Sequence, residues 1–267
     1  MSSQEPRLPA DHFTKPSPAR LWNYWMGGKD NYAVDRAAGD AVAAVYPDII
    51  RMAVQSRQFL IRTVRHLAGE GGARQFLDIG TGLPTMQNTH AVAQGVAPES
   101  KIVYVDNDAV VLAHARALMR DNTPEGLTTY VDADFHQPEV IISSAREVLD
   151  FRQPVSVMFM GVLGYVIDFA ELRSIVSRVM DAVPPGSYLT LWDGTNTGDA
   201  VQEGGEKLTD SGAIPYVLRS PGQLAECFEG LRMLPPGMVP ITEWGVGPAE
   251  VGTVEPIDAF GAVGRKP

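Results

Sequence analysis

One cysteine in 267 residues, Cys227, leaves no partner for an internal disulfide, so packing and hydrogen bonds must hold the fold. Its setting, "LAECFEG", reads as an amphipathic helix, which makes the thiol a buried structural one rather than a nucleophile. Positive charge is also short. Twenty-two Lys and Arg against 32 Asp and Glu give a net charge of −10, the wrong sign for a general nucleic-acid binder, which needs a basic face to displace counterions. No run approaches the ~20 apolar residues of a membrane span, and the opening "MSSQEPRLPADHFTKPSPAR" has no apolar h-region of a secretory signal. No His, Cys and Asp cluster has metal-ligand spacing, so no metal is expected. Internal repeats and low-complexity stretches are absent too. These absences point to a cytoplasmic protein with neither a nucleic-acid nor a membrane partner; the oligomeric state is not readable.

Alternation of strand and helix patterns fills most of the chain. From Asp35 to Ala68 the periodicity is helical, with Ile50, Val54, Ile61, Val64 and Leu67 or Ala68 recurring, and Pro47 dividing the segment into two helices. "QFLDIG" reads as a buried strand, "THAVAQGVA" as a helix, "KIVYVD" (101–106) as a strand and "AVVLAHARALMR" (109–120) as a helix capped by Asp108. Strand 128–134, helix 138–149, strand 154–163, helix 169–183 and strand 187–193 follow. Such alternation predicts an α/β fold with a mostly parallel sheet covered by helices on both faces. After a polar, Gly-rich loop or lid at 193–212 the pattern changes. "AECFEGLRML" reads as a helix, and "MVPITEW" and "DAFGAVGRK" as two strands with no crossover, hence antiparallel.

The chemistry concentrates at strand ends. "FLDIGTGLP" (76–84) carries a strand through Asp78 into Gly80-x-Gly82 and on to a helix. Glycines let the backbone approach a ligand there, and the helix N-terminus offers free N–H groups. The third position of a dinucleotide fingerprint is Thr85, which disfavours pyrophosphate, and Asp78 suits a cationic amine instead. Asp106, ending the next strand, can accept both hydroxyls of a ribose. Asp134, ending the third, can accept from an adenine amine, with Phe135 against the ring. Singly, each Asp is an ordinary turn former. Together they converge on the sheet edge where such folds bind ligands.

With "LDIGTG", Asp106, Asp134 and the strand "PVSVMFMGVLGYV", the sequence resembles the class I S-adenosylmethionine (SAM)-dependent methyltransferases. The segment "PARLWNYWMGGKDNYAVDRAAGD" resembles, more narrowly, the bacterial SAM-dependent methyltransferase family long catalogued as a domain of unknown function. The resemblance implies a Rossmann-like sandwich with a seven-stranded, mostly parallel sheet and an antiparallel last strand. It implies SAM as cofactor. Asp78 would hold the methionine amine, Gly80 and Gly82 would lie by the carboxylate and sulfonium, Asp106 would hold the ribose with Asn107 beside the adenine, Asp134 and Phe135 would flank the adenine, and Gly161 and Val162 would floor the sulfonium. Pro84 stands where many such enzymes have a third glycine. The expected organisation is a lead-in over 1–17, a helical cap over 18–70 and the SAM-binding domain over 71–267.

Within the cap, Arg20, Trp22 and Tyr24 are expected to cover the cofactor, with Gly27-Gly28 ending the first helix and Lys29, Asp30 and Asn31 contacting the methionine end. Gly28 is counted with the cofactor-binding residues. Of five histidines, His12, His66, His90 and His114 carry no chemical signal; His136, beside Asp134, and Tyr165, past the fourth strand, are weak catalytic candidates. Trp192 and Asp193 are acceptor-pocket candidates or strand-end anchors. No N-P-P-Y-type or Pro-Cys motif indicates an amino-group or base-C5 acceptor in a macromolecule, so a small-molecule acceptor is expected. Alternatives are a SAM-binding sensor without turnover and a nicotinamide-dependent oxidoreductase.

Overall fold

The computed structural model describes residues 13–83, 87–118, 123–246 and 255–267. Three helices, α1 (Pro18–Trp25), α2 (Ala33–Val45) and α3 (Asp48–Ala68), precede the first strand, with Pro47 at the N-cap of α3 as its rigid ring requires. There follow β1 (Gln75–Ile79), α4 (Thr89–Val96), β2 (Lys101–Asp106), α5 (Ala109–Leu118), β3 (Leu127–Asp132), α6 (Pro138–Ala145), β4 (Ser156–Met160), α7 (Phe169–Ala182) and β5 (Tyr188–Gly194). The last part holds α8 (Asp199–Asp210), α9 (Pro221–Glu226), β6 (Arg232–Met233), β7 (Val239–Pro240) and β8 (Ala259–Arg265).

The sheet runs β3-β2-β1-β4-β5-β8-β6, with β7 also on β8. The five strands β1–β5 pair in parallel, and β8 is antiparallel to β5, β6 and β7. Order reverses between β1 and β4, which opens a crevice at their carboxyl ends. Alternation along each strand divides two cores. Phe76, Tyr104, Met158 and Trp192 join the side covered by α1–α4 and α8, while Leu77, Val105, Phe159 and Leu191 join α6, α7 and α9 on the other. The helices before β1 therefore share a core with the sheet.

Four local readings are corrected. The 193–212 segment is not a loop: it holds α8, packed on α2, where a Cβ at Gly204 would crowd Tyr46 and Val42 at 3.3–3.4 Å, so its absence lets the helices approach. The helix read over 225–234 is only α9, started by a capping box between Ser220 and Gln223; Cys227 caps its end and is buried. "MVPITEW" pairs over Val239–Pro240 alone before turning. On α3, Ile50 and Val54 face solvent. Ile61, Val64, Leu67 and Ala68 are buried as expected, and Ile49, Met52, Ala53, Ser56, Phe59, Leu60 and Thr63 complete the buried face, with the Ser56 and Thr63 hydroxyls satisfied by carbonyls of their own helix.

Candidate functional site

A cavity of about 590 Å³ crosses the carboxyl ends of the strands, from the β3 tip at Asp134 to the β5 tip at Trp192. It is closed on the outer side by residues 15–20 with Trp22 and Met26, and by Arg57 and Leu60 of α3.

At β1, the turn after Ile79 is shaped by glycine. Gly80 has φ +75°, and a Cβ there would lie 2.4 Å from a Val162 methyl, so the β1 and β4 turns touch only because the side chain is missing. Gly161, also at φ +75°, is pressed on the Trp192 indole in the same way. The Gly82 amide donates to Asp106 Oδ2 at 2.8 Å, and Oδ1 accepts from the Asp108 amide at 2.9 Å. Burial pushes the Asp106 carboxyl up to about 6 against these donors. Asp78 is buried, its Oδ2 accepting from the Thr89 hydroxyl at 2.7 Å. Burial raises its pKa to about 6 too, while Thr89 and the Arg57 charge pull it down.

Arg57 is the residue that sequence reasoning missed. It lines the cavity, burial holds its pKa below the ordinary guanidinium value, and its Nε is sealed from water without a hydrogen-bond partner among the described residues. A buried charge in that condition is costly unless a ligand meets it.

Asn107, Asp108, Ala133, Asp134 and Phe135 line the far end. His136 also lines it, its ring Nδ1 2.7 Å from Asp134 Oδ1. At the opposite end stand Trp22, Met160, Tyr165 and Trp192. Trp22 meets Trp192 edge-on at 5.6 Å, and the Tyr165 hydroxyl belongs to the same end of the cavity. Burial drives that hydroxyl above the usual tyrosine range. Asp193 lies behind them, accepting from the Gly164 and Gly194 amides, and burial lifts it to about 7.

The expected sites therefore divide. Asp78, Gly80, Gly82, Asp106, Asn107, Asp134, Phe135, Gly161, Val162, Tyr165 and His136 all meet in one cavity, with Arg20 in its wall. Tyr24, Gly28, Lys29, Asp30 and Asn31 are not among its lining residues. Tyr24 turns outward and donates to Asp40 at 2.6 Å. Gly27, at φ +77°, and Gly28 close α1 through amides returned to Tyr24 and Asn23 carbonyls. The buried Asn23 side chain then accepts from the Asp30 amide and the Asn31 side chain, and packs where a Gly28 side chain would stand. Arg20, though lining the cavity, spends its Nε on Asp35 at 2.7 Å and an Nη on the Lys15 carbonyl. Pro84, Thr85 and His12 lie outside the described residues, as does most of the 1–17 lead-in.

Topology, the reversal between β1 and β4, and the cavity on that crevice define a class I, Rossmann-like methyltransferase fold. The chain belongs to the S-adenosyl methyltransferase family, whose model matches residues 5–267. A DUF574-family protein of Streptomyces avermitilis is 38% identical, with 96% of this chain and 99% of that one covered and a TM-score of 0.90. A candidate methyltransferase from Thermobifida fusca is 36% identical over 99% of both chains, at a TM-score of 0.86. An O-methyltransferase family protein of Burkholderia thailandensis shares the fold at 16% identity and a TM-score of 0.53, over 81% of this chain and 59% of that one. None of the curated proteins matches the chain. No helix of the described residues is long and apolar enough to cross a membrane.

Proposed function

We propose that the protein binds SAM in this cavity and transfers its methyl group to a small-molecule acceptor. The observation that carries the reading is the pairing in one wall of a buried carboxylate, Asp78, with Arg57, whose buried Nε has no hydrogen-bond partner among the described residues. An α-amino acid needs both: an acceptor for its ammonium and a donor for its carboxylate. Asp106 and Asn107 would take the ribose, and Asp134 and Phe135 the adenine. When bound, the sulfonium supplies an electrophilic methyl. Gly161 and Val162 would floor it, and Trp22 and residues 15–20 would keep water away. Positioning does most of the remaining work in such a displacement.

Calorimetry tests the binding half. Asp106→Ala removes a charged acceptor for two hydroxyls and should weaken SAM roughly 10- to 100-fold, from ~1.5–3 kcal/mol per hydrogen bond to a charged group; an unchanged affinity would sink the assignment. Turnover separates the enzyme from a SAM sensor. An enzyme should release S-adenosylhomocysteine when a cell extract supplies the acceptor, and lose that release with Asp106→Ala.

A further inference from the structure

The β4–β5 end of the cavity differs from the rest. Its walls are Trp22, Met26, Met160, Tyr165, Trp192 and Ile214, with no charged side chain among them. Ile214 is 54% exposed despite its size, an apolar rim at the mouth. Resting on the SAM reading above, we infer that the acceptor is a small, planar, uncharged aromatic compound, methylated on a ring nitrogen whose lone pair is free at neutral pH.

Three steps lead there. First, the one cavity must seat nucleoside and acceptor together, and ~300–1,000 Å³ is the usual range for small-ligand sites. The acceptor end is lined by aromatic rings, against which a flat ring can pack. Second, no base is at hand among the described residues that line this end. Tyr165 is held protonated by burial. Both Asp193 oxygens accept backbone amides, at 3.0 Å from Gly164 and 3.1 Å from Gly194, and Asp193 does not line the cavity. His136 sits at the Asp134 end. A phenol (pKa ~10) or an aliphatic amine (~10.4) would need its proton removed first; a weakly basic ring nitrogen would not. Third, charge moves. The nitrogen lone pair forms the new N–C bond, the C–S bond breaks with its pair kept by sulfur, and the positive charge passes from sulfonium to ring. Trp22, Tyr165 and Trp192 present π systems that favour a cation there, and a carboxylate acceptor would gain nothing from them.

The test uses the full chain loaded with S-adenosylhomocysteine, then with SAM. Quinoline, 1-naphthol, cyclohexylamine and benzoate are titrated against tryptophan fluorescence, since Trp22 and Trp192 form the walls. Quinoline should quench, and with SAM should give N-methylquinolinium at a rate flat between pH 7 and 9. Trp22→Leu should weaken quinoline at least tenfold; if that variant does not fold, the wild-type ranking and pH profile still decide. Binding confined to the other three probes, binding of none, or a rate rising tenfold per pH unit overturns the inference. Failure to bind S-adenosylhomocysteine at all would instead remove the SAM reading beneath it.

Discussion

Asp78 and Arg57 bring opposite charges into one buried wall, and the carboxyl is left with a pKa of about 6 against ~3.9 in water. Between those values the folded, ligand-free chain holds a proton that the unfolded chain has released. Stability from this group therefore falls as pH rises through the window and is greatest below ~4. Ligand affinity runs the other way, because an ammonium needs the ionised carboxylate. SAM binding should be level above pH 7 and weaken by up to about tenfold per unit below 6 as the proton competes. Asp106 has the same raised pKa and adds to the slope. Calorimetry from pH 5 to 8 checks this: Asp78→Asn should bind weakly and show a shallower slope. Equal slopes in variant and wild type would separate Asp78 from the ammonium. Arg57→Gln should weaken SAM roughly 10- to 100-fold, in line with ~1.5–3 kcal/mol for a charged hydrogen bond, and a lesser effect on adenosine would locate the loss at the carboxylate.

At the scale of elements, the strand tips were legible and the helical cap only partly. Asp78, Asp106 and Asp134 stand at ends of parallel strands, and topology alone brings such ends together. Arg57 was not legible because α3 carries Arg51, Arg57, Arg62 and Arg65 alike. Helix phase decides between them. Arg51 reaches Asp48 and the Glu255 to Pro256 backbone outside, Arg62 holds the Trp244 and Ile241 carbonyls, and Arg57 alone lines the cavity. That phase was hidden by Ser56 and Thr63 in the buried stripe. "GGKDN" reads differently in the fold: the Asp30 amide and the Asn31 side chain serve an internal turn around Asn23, outside the lining of the cavity. The Arg20–Asp35 pair, both side chains almost wholly buried, ties this turn to α2, with Asp35 also accepting the Ser17 and Tyr32 amides. Asp35→Ala should cost about 3–5 kcal/mol in chemical denaturation, the usual toll of leaving a buried charge alone. Tyr24→Phe, which loses an exposed hydrogen bond, should cost below ~1 kcal/mol.

At the scale of the molecule, α1 and the residues before it bridge the two ends of the cavity. The Ser17 hydroxyl donates to Asp108 at 2.9 Å, just past β2, and Trp22 rests on Trp192 at the tip of β5. A ligand lying along the strand ends would pass beneath this bridge, so lifting the bridge would ease binding and release. Lifting must break the Ser17 bonds to Asp35 and Asp108 and draw Trp22 from Trp192, while the buried Arg20–Asp35 pair, Leu21 and Trp25 hold the rest of α1 to the core. Opening should therefore be local, and a bound ligand that fills the space below should suppress it. Hydrogen exchange gives the measurement. With S-adenosylhomocysteine, the amides of Leu21, Met26, Gly27 and Gly28, all bonded within the α1 turn, should slow about tenfold or more. Amides of α7, on the opposite face of the sheet, should slow far less. Asp108→Ala, which removes the partner of the Ser17 hydroxyl, should speed ligand release without changing exchange in α7. Equal protection of α1 and α7 would mean that the ligand stabilises the whole fold and that residues 15–26 form a fixed wall.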